Sequence, residues 1–191
     1  MNARIAVLSM LALAAASARG VAQAGSDGGA RRMSGGVKAG MVAPGAFYWS
    51  EGPYASYDLS LSLNAGVFVD WKVGSRVSLG VYSDMIAMNA FSESALMFDG
   101  GLALKAQMGD GSKRVTWRPE LGVGLGELGS IYYFTGTNYL TLRGGTEVLL
   151  HSGGKHTWLG EILVYGAPTG GNVDVTTSFG PVALVRIGMV F

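Results

Sequence analysis

Hydrophobic and polar residues alternate almost without fault through DLSLSLNAGVFVDWKV, Asp58 to Val73. Leu59, Leu61, Leu63, Ala65, Val67, Val69 and Trp71 share one parity. Asp58, Ser60, Ser62, Asn64, Gly66, Asp70 and Lys72 share the other, with Phe68 its one large apolar member. A period of two belongs to a β-strand with two unlike faces. The same alternation recurs along the chain and predicts eight strands, over residues 37–49, 57–73, 76–88, 97–108, 114–126, 138–151, 156–167 and 176–191.

The connections between these strands fall into two classes. Those after the second, fourth and sixth strands are short and rich in glycine: Gly74-Ser75, GDGSK at 109–113 and SGGK at 152–155. They read as hairpin turns. Those after the odd-numbered strands are longer: SEGPYAS, NAFSESAL, ELGSIYYFTGT and PTGGNVDV. Short turns at one end, long loops at the other and an even strand count describe an all-β, eight-stranded, antiparallel up-and-down transmembrane β-barrel. Strand length fits: eleven to thirteen residues at about 3.3 Å each, tilted about 40°, cover roughly 28–33 Å.

Sorting the charges by parity says which face meets water. One face collects Val37, Met41, Val77, Leu79, Leu102, Leu104, Leu121, Val123, Leu140, Leu142, Ile162, Val164, Val185 and Ile187. The other takes Lys38, Asp70, Lys72, Asp84, Asp99, Lys105, Arg118, Glu120, Arg143, Glu147, Glu161 and Arg186, six bases and six acids. Equal numbers suit mutual neutralisation inside a narrow lumen. A slip of every strand by one residue would turn these groups to lipid, at about 2–4 kcal/mol for each base near the midplane. The register is therefore expected to hold the charges inside. Arg118 and Glu120 are expected to pair with Arg143 and Glu147, with Glu161 beyond.

Aromatic residues lie in bands on the apolar parity. Trp71, Trp117, Trp158 and Phe191 sit near the short turns, and Trp49, Tyr57, Phe98 and Phe179 near the long loops. Two aromatic girdles bounding an apolar belt suit rings placed at lipid headgroups. Prolines oppose the pattern. Pro44, Pro119 and Pro181 fall within strands of a barrel that has no edge to excuse a missing N–H, so bulges or kinks are expected there.

Composition narrows the classes further. Only 14% of the 191 residues are charged, against about 25% in an average soluble domain. The formal net charge of +1, with no long basic run, gives no reason to propose nucleic acid. There is no cysteine, hence no disulfide and no thiolate site. Residues 1–24 read as a signal peptide: MNAR is its positive start, Ile5 to Ala16 its apolar run, and AQA at 22–24 the cleavage site after Ala24. The twelve-residue apolar run is too short for the roughly 20 residues of a spanning helix. Residues 25–36 read as a flexible periplasmic leader, and 37–191 as the barrel.

The last strand ends VALVRIGMVF, with Phe191 preceded by Met189, Ile187 and Val185 at alternate positions. This resembles the C-terminal assembly signal of bacterial outer-membrane proteins. The resemblance from Val37 to Phe191 is to small eight-stranded barrels of the OmpA transmembrane-domain and OmpX type, in architecture rather than in a sequence fingerprint. It implies a bacterial outer-membrane location, contact with lipid and lipopolysaccharide, and delivery by the barrel-assembly machinery through the strand ending in Phe191.

Little in the sequence points to chemistry. An eight-stranded lumen is just wide enough for side chains, so twelve charges with Tyr82 and Tyr165 should plug it. Some small outer-membrane barrels are lipid A deacylases or acyltransferases with His, Ser and acidic residues toward the outer leaflet. Here both histidines, His151 and His156, flank the SGGK turn at the opposite end, and the His-x-Ser spacing is absent. A nucleophile needs a base within hydrogen-bond reach. No third metal ligand lies close to the two histidines in sequence. GVGLGELG, at 122–129, lacks the following helix of a phosphate loop and reads as small inward residues making room in the lumen. No catalytic residue, cofactor or metal is assigned. The stretch Glu127–Thr137, with Ile131, Tyr132, Tyr133 and Phe134, offers clustered aromatics to an unidentified surface ligand. The expectation is a structural, surface-exposed barrel with four extracellular loops; the alternatives are a lipid A-modifying enzyme and a narrow ion channel.

Overall fold

A computed structural model describes residues 33–43, 45–49, 56–90, 93–109, 114–129, 137–152, 156–171 and 176–191; the side chains of 47, 49, 56–59, 88–90, 93 and 94 are not described. The expected signal peptide, Pro44 and residues 130–136 of the aromatic loop lie outside this set.

Ten strand segments form the sheet: β1 (Met33–Val42), β2 (Gly45–Trp49), β3 (Ser56–Leu59), β4 (Ser62–Lys72), β5 (Val77–Ala90), β6 (Glu93–Ala106), β7 (Val115–Gly129), β8 (Thr137–His151), β9 (Thr157–Gly171) and β10 (Thr176–Val190). They make eight staves, because β1 and β2 run in succession along β10, and β3 and β4 supply the next stave. Every neighbouring pair is antiparallel, and β1 pairs with β10 as well as with β4. The sheet is thereby a closed eight-stranded antiparallel barrel, in which the short β3 is laddered to β2.

Several boundaries differ from those read in the sequence. β1 begins at Met33, so residues 33–36 of the expected leader pair with β4. The first two predicted strands are each divided, one next to Pro44 and the other at Ser60 and Leu61. β6 through β9 reach further toward the long loops than alternation alone predicts, and β7, β8, β9 and β10 each have 15 residues. At about 3.3 Å per residue and ~40° of tilt, such strands rise roughly 38 Å, more than an apolar band of about 25 Å.

The three prolines resolve differently. Pro119 falls where the β6–β7 ladder lapses, between Lys105↔Glu120 and the isolated Met108↔Trp117 bridge. Its missing N–H therefore falls where no continuous ladder runs on the β6 side, while Pro119↔Thr146 keeps step with β8. At Pro181, the β9–β10 register shifts between Phe179↔Ala167 and Val182↔Tyr165. Two residues of β10, Gly180 and Pro181, stand against one of β9, which is a β-bulge. Gly180 has φ +98°, a conformation an L side chain resists. Pro44 is outside the described residues.

That bulge corrects one expected orientation. Beyond it the parity of β10 is reversed, so Phe179 points inward and is buried rather than joining an outer girdle. Elsewhere the two faces separate as the alternation predicts. Leu61, Leu121, Val123, Leu142, Ile162 and Ile187 are exposed on the outside, while Asp70, Lys105, Glu147 and Arg186 are buried within. An apolar exterior around an ionic interior inverts the distribution of a soluble protein and is matched to hydrocarbon surroundings.

Candidate functional site

The lumen holds nearly all the chemistry of the described residues. Inward glycines create its free space. A Cβ on Gly66 would collide with Asp84 Oδ1, and one on Gly80 with Asp70 Oδ1. Gly122, Gly124 and Gly126 of β7 lie against Arg143, Tyr82 and Met97 respectively. The glycine-rich β7 thus yields volume to long side chains from other staves, as GVGLGELG suggests.

Ten of the twelve charges expected in the lumen form one connected chain of ion pairs. Lys38 Nζ reaches Glu161 at 3.0 Å, and Glu161 also accepts from Arg186 Nε. Arg186 reaches Asp84 at 2.8 Å, and Asp84 accepts from Arg143 at 3.0 Å. Arg143 continues to Glu120, which lies 3.4 Å from Lys105. Lys105 is the hub, 2.8 Å from Glu147 and 3.1 Å from Asp70. Arg118 closes the chain against both Glu147 and Asp70.

Five bases and five acids cancel in formal charge. Sequence reasoning pairs Arg118 with Glu147 and Glu120 with Arg143, and both pairs form. Glu161, in contrast, turns to Lys38 and Arg186 rather than to the β7 and β8 bases. The register explains why neighbouring acids need so many partners. Glu147 and Glu161 face each other across β8 and β9, and a like-charged cross-strand pair is unfavourable unless bases stand between. Aromatic faces add to the arrangement: the Arg143 guanidinium lies 3.2 Å from the Tyr82 ring centroid, and Lys105 Nζ 4.5 Å from that of Phe68.

The other two charges stand apart. Lys72 is exposed at the end of β4, lining a cavity of about 250 Å³ at the short-turn mouth together with Arg118 and His151. It is long, lies at the last residue of its strand and reaches water, so it does not enter the buried chain. Asp99 is buried beside Asp84 in register, and its carboxylate accepts from Thr141 Oγ1 at 2.7 Å. Among the described residues no Lys or Arg forms an ion pair with it.

Above the ions lies an apolar cluster that alternation does not predict. Ile86, Met97, Leu128, Leu163, Leu184 and Phe179 belong to one buried cluster toward the long loops. The Phe179 ring sits 5.6 Å from both Tyr139 and Tyr165. Its signal in the sequence is the continuous apolar run, as in Ile162-Leu163-Val164 and Val182-Ala183-Leu184-Val185, where both faces of a stave are covered by apolar surroundings.

On the outside, Trp71, Trp117 and Trp158 are exposed near the short turns, and Phe191 is half-buried at that end. The Trp49 side chain is outside the described set. His151 is held between Thr116 and Thr157, at 3.3 and 3.1 Å, and His156 packs edge-on to Phe191. Ser152 Oγ donates to the His156 carbonyl. Glu120, Glu147 and Glu161 bring carboxylate oxygens within 4.8 Å of one another, but each is already engaged by Lys or Arg. The stretch Glu127–Thr137 is shorter as a loop than expected: Glu127 to Gly129 complete β7, and Thr137 is buried at the start of β8.

A closed eight-stranded antiparallel cylinder, apolar outside and ionic within, has the fold of the outer-membrane β-barrels. Among solved structures, the chain is similar to Neisserial surface protein A, NspA, with a TM-score of 0.51 and 10% identity over 85% of this chain and 97% of that one. It also matches Ail, the attachment invasion locus protein of Yersinia pestis, with a TM-score of 0.48 and 10% identity over 84% of this chain and 100% of that one. No protein-family model matches the chain. No curated protein matches it either.

Proposed function

We propose that this chain is a bacterial outer-membrane β-barrel with a sealed lumen, whose role is structural: it spans the membrane and presents its long loops at the cell surface. The observation that carries the reading is the continuous ion chain from Lys38 to Arg118, capped by the cluster around Phe179. A water-filled pore needs an open polar path. Here each cation is held by at least one buried carboxylate, and the apolar plug would have to part before an ion could pass.

In this reading Trp71, Trp117, Trp158 and Phe191 sit at the inner headgroup level, with Trp49 at the outer one. The lipid partners are outer-membrane lipid and lipopolysaccharide. β10, ending in Phe191, is the segment presented to the barrel-assembly machinery, after removal of residues 1–24. An unidentified surface ligand would meet the loop that follows Gly129.

Planar-bilayer recording of the purified barrel is expected to show no stepwise conductance; reproducible single-channel steps would overturn the sealed lumen. The position of His151 and His156 at the short-turn end, with His151 set between two threonine hydroxyls and His156 against Phe191, supports a non-enzymatic role. Lipid A mass spectra with and without the gene should be identical. An acyl-chain change lost in His151→Ala would assign an enzyme instead.

A further inference from the structure

The outer wall carries a groove of about 720 Å³ where β7, β8, β9 and β10 adjoin. It exists because of two local departures from a smooth belt. On β8 and β9 the outward positions Gly144 and Gly166 lack side chains between Leu121, Leu142 and Val164, all of them exposed. Beside them the wall is doubly bulged. Ala167 and Pro168 of β9 stand against Thr141 alone, and Gly180 and Pro181 of β10 against Gly166 alone. Neither proline can donate to the ladder, so the two staves part locally and the floor of the groove deepens.

Its position on the barrel suggests what fills it. Gly144 lies opposite Val164, and Leu142 opposite Gly166. Counted along β9 from Trp158, Val164 stands about 15 Å and Pro168 about 25 Å higher, at ~3.3 Å per residue and ~40° of tilt. The groove therefore occupies the half of the apolar band nearer the long loops, continuous with the lipid-facing surface around it. Its upper end is marked by Tyr48 and Ser178, which pair across β2 and β10 and bring hydroxyls to a lining whose other outward side chains are apolar, Arg143 and Tyr165 being buried on the lumen side. An apolar trough ending in hydroxyls at the interface matches an amphiphile with its polar end up.

We propose that this groove seats one acyl chain of a lipid in the long-loop leaflet, with the lipid's head against Tyr48 and Ser178. The proposal rests on the reading of the belt as membrane-facing. Lipid tails are as apolar as leucine, so no hydrophobic gain separates groove from bulk bilayer; the preference comes from close packing against backbone that glycine leaves bare. A second outward concavity, of about 510 Å³ around Ala39, Ala65 and Trp158, reaches down to the short-turn girdle, and no hydroxyl lines it. It serves as the internal control.

The test is photo-crosslinking of the barrel in phosphatidylcholine vesicles that contain a phosphatidylcholine with a mid-chain diazirine. Labelling is expected to concentrate several-fold on the peptides holding Gly144 and Gly166 over those holding Ala39 and Ala65. Gly144→Leu should abolish the excess by filling the groove; the one tight contact of an added Cβ is with the flexible end of Leu121, at 3.1 Å. Unchanged heat-modifiable migration of that variant shows that it has folded. Labelling spread evenly around the belt overturns the groove but leaves the membrane reading intact, whereas no labelling anywhere on the belt overturns both. A wild type that cross-links as a dimer and a Gly144→Leu variant that stays monomeric would assign the groove to a second copy, against the proposal.

Discussion

Lys105 shows how much a single inward residue can organise. It faces Asp70, Glu120 and Glu147 at once, so removing its charge leaves an excess of buried anions. Breaking a buried pair by removing one partner costs about 3–5 kcal/mol, because the orphaned charge stays desolvated. Lys105→Met is expected to lower the unfolding free energy in lipid vesicles by about that amount, measured by urea titration with tryptophan fluorescence. Lys72→Met, at an exposed position of the same parity, should stay within about 0.5 kcal/mol of the wild type. Parity in the sequence separates inside from outside but gives no depth, which is why these two lysines look equivalent until the end of β4 is located. Leu121 makes the opposite test. Its exposure of 70% on the outer face predicts a cost of up to about 2–4 kcal/mol for Leu121→Arg, smaller toward the interface.

At the level of the strand, alternation is a good guide wherever the ladder is regular and misleads where it is not. β7 and β8 keep one register from Val115↔Leu150 to Leu128↔Thr137, and their faces are correctly read from the sequence alone. β10 breaks step at Gly180 and Pro181, so a count back from Phe191 assigns Phe179 to the wrong side. Pro181 is visible in the sequence, but not whether it sits in a bulge, a kink or a strand end, since that depends on partners in β9. The absence of cysteine makes a direct check available. In single-cysteine variants, Ser178→Cys should react with a membrane-permeant maleimide and Phe179→Cys should remain protected in the folded barrel. The reverse pattern would restore unbroken alternation. The inward apolar run at the long-loop ends was likewise hard to read, because Leu163 and Leu184 lie on a parity that carries Glu161 and Arg186 two residues away.

For the barrel as a whole, strand number, antiparallel order and sidedness were legible because a closed cylinder imposes them on every stave at once; the segregation of short turns from long loops was not, since β5 and β6 are separated by two residues and β6 and β7 by eight. The partners within the lumen were legible only for staves adjacent in sequence. Arg118–Glu147 and Arg143–Glu120 join β7 to β8, whereas Lys38–Glu161 joins β1 to β9 past β10, which stands between them in space but is the last of the ten in sequence. A network shut away from solvent also behaves differently from surface pairs. At about 1 M salt the Debye length falls to roughly 3 Å, which weakens exposed ion pairs but reaches buried ones little. The urea midpoint of the wild type should therefore shift only slightly between low and high salt, measured in the same vesicles. A large loss would mean that ions and water enter the lumen.

Because β10 is flanked by β9 on one side and by β1 and β2 on the other, it is the keystone of the cylinder. Until it docks, two rows of amide and carbonyl groups stand open, which hydrocarbon cannot solvate. The rest of the molecule must then be chaperoned, or kept in water, until β10 takes its place between β9 and β1. Closure is a single terminal event, and a lesion in β10 should strand the whole chain short of the bilayer rather than leave a slightly weakened barrel within it.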